Sequence, residues 1–330
     1  MLRFFRSDGG HLAAIEPPRD GALPHDAIWI DVSEPTRDEE QAVERQLGIG
    51  IPTREDVTEI QTSSRLLEEG GTLFMTGIVP YGDKHNKLET LPLTFVRAGD
   101  RLVTVRYGHP ESVDRFVHRA AEGRLTPDSA DAVLAALLES IVDRIADRLE
   151  FIGGDMKRIE KLIFRRGTQN AAVGSRLSLG RRIHELQNAI EILGAHHQVV
   201  FEIRGCLQSF VRLLGFRRSH HPDVPCAHRF AAIEEDLKAI ADYDADLTAS
   251  MEFMLDATVG LIDVQQNKVI YILSIVGMVL TPPVLIASVY GMNFDVMPEL
   301  HWAWGYVWAL LLMLASAAGP YLLFKWKGWL

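Results

Sequence analysis

Cysteine is scarce in this chain: Cys206 and Cys226 are the only two in 330 residues. Two thiols make no disulfide framework, and both are expected to be free. The opening run, MLRFFRSDGG, lacks the apolar stretch of a secretory signal. Entry into a membrane is therefore expected through the C-terminal part. Basic residues are in deficit, with 34 Lys and Arg against 44 Asp and Glu, a formal charge of −10 and a pI of about 5.6. That balance excludes a typical nucleic-acid surface and suits a protein that handles cations. No GxxxxGK phosphate loop, hydrolase triad or metalloprotease motif can be placed, so neither an enzyme nor a small organic substrate is expected.

Charge is missing most conspicuously from the C-terminal end. Residues 269–290, VIYILSIVGMVLTPPVLIASVY, and 302–324, WAWGYVWALLLMLASAAGPYLLF, carry no formal charge at all. A helix needs about 20 apolar residues to cross the hydrocarbon core, and each run meets that length. The loop between them is short, so the pair reads as a transmembrane hairpin with both outer flanks on one side. Lys268 precedes the first span, Lys325 and Lys327 follow the second, and the loop holds Asp295 and Glu299 without Lys or Arg. The positive-inside rule then puts both termini in the cytoplasm and the loop outside. Trp302, Trp304 and Trp308 at one end and Trp326 and Trp329 at the other suit interfacial belts. Two helices cannot enclose a pore, so a conducting protein of this design must oligomerise.

The 47% of hydrophobic residues leaves enough for cores ahead of the spans. Residues 1–127 read as an α/β domain, with β-rich runs at 27–32, 73–79, 93–96 and 102–107 and a helix over 36–47 started by Ser33 or Thr36. Residues 128–268 read as a stalk of long amphipathic helices, over 128–165, 173–214 and 227–267, with breaks near Gly167 and across Gly215–Pro225. Residues 269–330 form the hairpin. No Pro- or Gly-rich linker separates the last stalk helix from the first span, which predicts one rod running from cytosol into bilayer. Along that rod Asp256, Gly260, Asp263, Asn267, Ile270, Leu273, Gly277, Thr281 and Val284 follow one another at steps of three or four and share a stripe. Its cytosolic end is acidic and amidic and its middle apolar, the pattern of a funnel leading to a hydrophobic constriction.

After the first span comes Tyr290-Gly291-Met292-Asn293-Phe294, then Met297-Pro298-Glu299-Leu300. With Gln266-Asn267 at the inner end of the span, Pro282-Pro283 within it and the Lys-Trp-Lys-Gly-Trp-Leu tail, the chain resembles the CorA family of magnesium transporters. The close match covers about residues 240–330. The resemblance implies a funnel-shaped homopentamer in the inner membrane, with an α/β cytosolic domain, a long-helix stalk and two C-terminal transmembrane helices. It implies that Gly291, Met292 and Asn293 form the selectivity filter, that Asn267 lines the inner pore, that Ile270 and Leu273 gate it, and that Asp256 faces the path. The family often carries a bulky apolar residue before the Pro-Pro pair and a Thr after it. Here Thr281 precedes and Val284 follows, which shifts the hydroxyl by one turn.

The expected cargo is Mg2+, with Co2+ and Ni2+ as further ions, driven by the membrane potential and held back by cytosolic Mg2+. Among Glu234, Glu235, Asp236, Asp242, Asp244 and Asp246, the carboxylates of Asp236, Asp242 and Asp246 are the expected regulatory ligands. Asp295 and Glu299 are expected to concentrate cations at the outer mouth. The cluster His220, His221, Cys226 and His228 has ligand types suited to zinc, so a zinc transporter of the ZntB type is one alternative. A non-conducting, membrane-anchored scaffold is another.

Overall fold

The computed structural model describes residues 1–16, 23–58, 65–82, 88–164, 176–222, 224–292 and 302–328. The chain resolves into two compact units. One comprises residues 1–166 and 188–255, the other 167–187 and 256–330.

The first unit is built on a seven-stranded sheet, in the order β2-β1-β3-β7-β6-β5-β4. Its strands are β1 (Leu2–Asp8), β2 (His11–Ile15), β3 (Trp29–Ser33), β4 (Leu66–Glu69), β5 (Thr72–Tyr81), β6 (Glu89–Ala98) and β7 (Arg101–Arg106). Only β3 and β7 pair in parallel; every other ladder is antiparallel. β1 and β2 meet in a hairpin whose two turn residues, Gly9 and Gly10, have φ of 57° and 87°. That left-handed pair matches the twist of the flanking strands and is open to glycine at little cost.

The two faces of the sheet have different covers. Helix α1 (Arg37–Leu47) buries Val43 among Phe4, Ile30, Val32, Val96, Val103 and Val105. Thr36 starts it, through a capping box in which Thr36 and Glu39 satisfy each other's backbone N–H groups. A short helix, α2 (Arg54–Thr58), follows. On the opposite face Trp29 stacks on Phe5, with ring centroids 4.4 Å apart. It also meets the edge of Phe116 at 5.4 Å, from helix α3 (Glu111–Ala121).

Three long helices complete the polar half of the chain and continue beyond it. They are α4 (Ala130–Ile163), capped by Ser129, α5 (Arg176–His220) and α6 (Ala227–Tyr290). α5 closes on the sheet where β4 runs out. Ile78 N–H, past the end of the four-residue β4, donates to Ser209 Oγ at 2.9 Å, and Ser209 in turn donates to Cys206 O. An otherwise open strand edge is thereby occupied. The approach is close enough that a Cβ at Gly77 would stand 2.8 Å from the Phe210 ring. The break expected across Gly215–Pro225 falls in the later part of that range, because α5 runs through Gly215 to His220. A helical glycine costs about 1 kcal/mol against alanine. Buried Leu213 and Leu214 and Arg217, whose guanidinium lies 3.7 Å over the Phe230 ring, outweigh that. The chain turns instead at the two prolines, Pro222 and Pro225.

The second unit holds the C-terminal part of α6 and helix α7 (Gly305–Trp326). Both are long and apolar enough to cross a membrane. The expected rod is present: α6 is one helix of 64 residues.

Candidate ion path along the long helix

The expected site residues divide into those on α6 and those beyond it. Asp256, Asp263, Asn267, Ile270, Leu273, Gly277, Thr281 and Val284 all lie on α6 and are exposed in the single chain, Leu273 to 70%. A column of bare leucine, isoleucine and valine side chains is normal where lipid or another copy replaces water. Asn293, Asp295 and Glu299 lie outside the described residues.

The end of α6 has a specific geometry. Gly291 N–H donates to Ala287 O at 3.0 Å, and Met292 N–H to Val289 O at 3.3 Å, so the helix tightens as it stops. A Cβ on Gly291 would meet Ala287 O at 3.2 Å. The first residue of the Gly-Met-Asn triplet therefore has the helix's own backbone close to where a side chain would start.

Within the span, hydroxyls turn back on the helix. Ser274 donates to Ile270 O at 2.8 Å, Thr281 to Gly277 O at 2.6 Å and Ser288 to Val284 O at 2.8 Å. Each donor is thereby satisfied without a partner helix, while the oxygen keeps capacity to accept. Pro282 and Pro283 sit inside α6 and have no N–H. The carbonyls of Met278 and Val279, four residues earlier, therefore lose their intrahelical donors. Such groups are tolerated at membrane depth where protein or water meets them.

Ahead of the span, Asp236, Asp242 and Asp246 are exposed on α6. Two neighbours among the acidic candidates are engaged otherwise. Asp244, 3% exposed at its side chain, accepts from Arg204 Nε at 2.7 Å, and Glu234 pairs with Arg218 at 2.5 Å. Among the described residues no three His, Cys, Asp or Glu side chains converge as a metal site within one chain. Asp236, Asp242 and Asp246 therefore make no such group in the single chain. Of the His220, His221, Cys226 and His228 group, His220 Nδ1 lies 2.8 Å from Phe216 O, and its Nε2 faces Glu68 at 3.6 Å. Cys226 is buried, and burial, then Asp131, pushes its thiol up. Burial pushes Cys206 up to about 12. His196 faces Asp155 across α4 and α5 at 3.4 Å, and burial lowers its pKa despite that carboxylate.

Sequence reasoning missed the ion pairs that tie the first unit together. Arg106, on β7, holds Asp31 of β3 with two hydrogen bonds and Asp114 of α3 with a third. Arg229 donates to both carboxylate oxygens of Glu139, from Nε at 2.9 Å and from Nη2 at 2.6 Å. The partners are far apart in sequence, and no spacing rule connects them.

An α/β unit followed by a long helix that ends in one apolar stretch, with a second apolar helix after it in the chain, is the layout of a two-span membrane protein. The family model described as CorA-like Mg2+ transporter protein matches residues 25–326, and the chain belongs to that family. The magnesium transport protein CorA of Pectobacterium atrosepticum is 30% identical over 332 residues, and that of Escherichia coli K12 is 29% identical; in both cases each chain is covered in full. Among solved structures, the CorA magnesium transporter of Methanocaldococcus jannaschii superposes with a TM-score of 0.70 at 17% identity, over 100% of this chain and 99% of the other. Full-length CmaX does so at 0.64 and 15% identity, over 98% and 96%. At those identities the superpositions speak to the fold.

Proposed function

We propose that this chain is one subunit of a homopentameric inner-membrane transporter that takes up Mg2+ along a path lined by α6. The observation that carries the reading is the continuous 64-residue helix. It presents exposed Asp256, Asp263 and Asn267 ahead of the apolar Ile270 and Leu273, then ends at Tyr290, with Gly291, Met292 and Asn293 next in the chain. The acidic approach raises the local dication concentration. The apolar rings resist wetting until the subunits move apart. Asn293 forms the outer selectivity ring. Mg2+ dehydrates reluctantly and prefers octahedral oxygen. A ring of neutral amide oxygens accepts hydrogen bonds from its water shell without binding the ion too tightly to release. Asp295 and Glu299 draw cations to the mouth.

In this reading residues 1–127 and 128–268 are the cytosolic domain and stalk, and 269–330 the membrane hairpin with both termini inside. An inside-negative potential of 100 mV supplies about 4.6 kcal/mol for a dication, which drives uptake without ATP. Cytosolic Mg2+ bound by Asp236, Asp242 and Asp246 against a neighbouring copy holds the path closed. Co2+ and Ni2+ share the path.

The test is uptake into proteoliposomes under an inside-negative potential, wild type against Asn293→Ala, with zinc in parallel. Magnesium uptake that disappears in Asn293→Ala supports the amide ring. Zinc uptake alone moves the assignment to a zinc transporter. No flux of either ion through folded oligomer leaves a membrane-anchored scaffold.

A further inference from the structure

A cleft of about 820 Å3 opens in the first unit between α3, the connector before α4, and α4 itself. Its walls are sorted by charge. The α3 helix and the connector carry Arg115, Arg119 and Arg124; α4 carries Asp143 and Asp147, with Arg144 on the same helix. The basic wall is under-neutralised. Glu111 serves both Arg115, at 3.0 Å, and Arg144, which also lies 4.0 Å from Asp147. Arg119 makes no ion pair among the described residues. Arg144 is held in place, its side chain 13% exposed. The acidic wall has the opposite surplus. Asp143 makes no ion pair among the described residues, and Asp147 meets Arg144 at 4.0 Å. Ser112, in the first turn of α3, lines the same cleft with a buried hydroxyl that has no hydrogen-bond partner.

We propose that this cleft binds a magnesium–polyphosphate complex, with phosphate oxygens on Arg115, Arg119 and Arg144 and the metal turned toward Asp143 and Asp147. Guanidinium groups recognise phosphate bidentately and keep their charge at any physiological pH. Mg2+ in such complexes takes most of its ligands from phosphate and water, with one or two protein carboxylates. Two acids are therefore enough, and a three-carboxylate site is not required. A bare polyanion would leave the acidic wall repelling it, and a bare cation would face the arginines. Only a ligand carrying both charges satisfies both walls. Phosphate loops use backbone N–H groups, so a side-chain cleft of this kind is invisible to a GxxxxGK search.

The test is calorimetric titration of the full-length protein in detergent with ATP, GTP and inorganic tripolyphosphate, each with and without Mg2+. Saturable binding is expected, about tenfold tighter with Mg2+ than without. Equal affinity for the three probes assigns recognition to the phosphate chain, and preference for a nucleotide adds a contact to the base. Arg119→Ala, at an exposed position that leaves the fold intact, weakens every complex by about tenfold. Asp143→Asn removes the Mg2+ preference while leaving the metal-free affinity unchanged or tighter. Absence of binding, or binding indifferent to Arg119→Ala, overturns the proposal. So does binding that Mg2+ weakens.

Discussion

Arg106 and Asp31 face each other across the one parallel ladder of the sheet, Nε to Oδ1 at 3.2 Å and Nη2 to Oδ2 at 3.0 Å, with both side chains excluded from solvent. Thr104 donates to the same Oδ1 at 2.9 Å and accepts from the Trp29 indole at 3.1 Å. Burial opposes the Arg106 charge, but Asp31 and Asp114 outweigh it and raise its pKa. A buried pair of this kind adds little over an apolar pair, yet it is costly to break, because the survivor is left charged without a partner. Asp31→Ala is expected to destabilise the first unit by about 3–5 kcal/mol. Thermal unfolding followed by tryptophan emission checks this; a shift no larger than that of a surface substitution such as Asp8→Ala refutes it.

Two glycines at helix contacts should respond oppositely to alanine. At Gly77 the obstacle is the buried Phe210 ring, 2.8 Å from the added Cβ and packed on all sides. At Gly153 it is the hydroxyl of Tyr243, whose side chain is 39% exposed and can swing outward. Gly77→Ala is expected to cost about 1–3 kcal/mol, as overpacking does. Gly153→Ala is expected to be close to neutral, since helix propensity returns up to about 1 kcal/mol. Equal losses at the two positions, measured as unfolding midpoints, would contradict this account of their surroundings.

What sequence could reveal here followed from scale. The two spans and the long helices announce themselves over 20 or more residues of consistent composition. β1 and β2 do not, because Arg3, Arg6, Asp8 and His11 dilute their alternation, although Gly9-Gly10 marks the turn. The helix end at His220 was obscured by Gly215, whose local penalty is smaller than the packing around it. Ion pairs such as Arg229 with Glu139, 90 residues apart, have no local signature. For the ion path, spacing placed the polar-to-apolar stripe on one helix. A ring of several copies is a property no single chain displays.

Asp143 gives a pH dependence with a definite sign. Its folded pKa is raised, by burial first and then by Asp147, Glu139 and Asp236. The folded state therefore holds this proton more tightly than the unfolded chain. The contribution is fully present below the unfolded carboxylate pKa, about 4, and is lost as pH rises through the folded value. Asp143→Asn is expected to raise the unfolding temperature at pH 7, where the wild-type carboxylate is ionised. The gap should close as the pH is lowered toward 4. Melting curves at several pH values decide; a gap that is constant with pH would assign the gain to something other than charge.

Gly291→Ala probes the C-terminal end of α6 without altering any side chain that carries charge. The added methyl must sit 3.2 Å from Ala287 O and 3.6 Å from Ser288 O. These are backbone atoms, unable to rotate away as a side chain would. The strain must instead be relieved by opening the last turn, where Gly291 N–H meets Ala287 O and Met292 N–H meets Val289 O. In the proposed transporter Asn293 follows directly, so a change of this turn moves every amide of the ring at once. Positioning errors of about 1 Å commonly cost two orders of magnitude in function. Magnesium flux through Gly291→Ala is therefore expected to fall at least about tenfold, while oligomer size and cytosolic melting stay unchanged. The double variant Gly291→Ala with Asn293→Ala should then transport no worse than Asn293→Ala alone, since both act on the same ring. Wild-type flux through Gly291→Ala would show that the turn does not position the selectivity ring, and fully additive losses would place the two residues in separate roles.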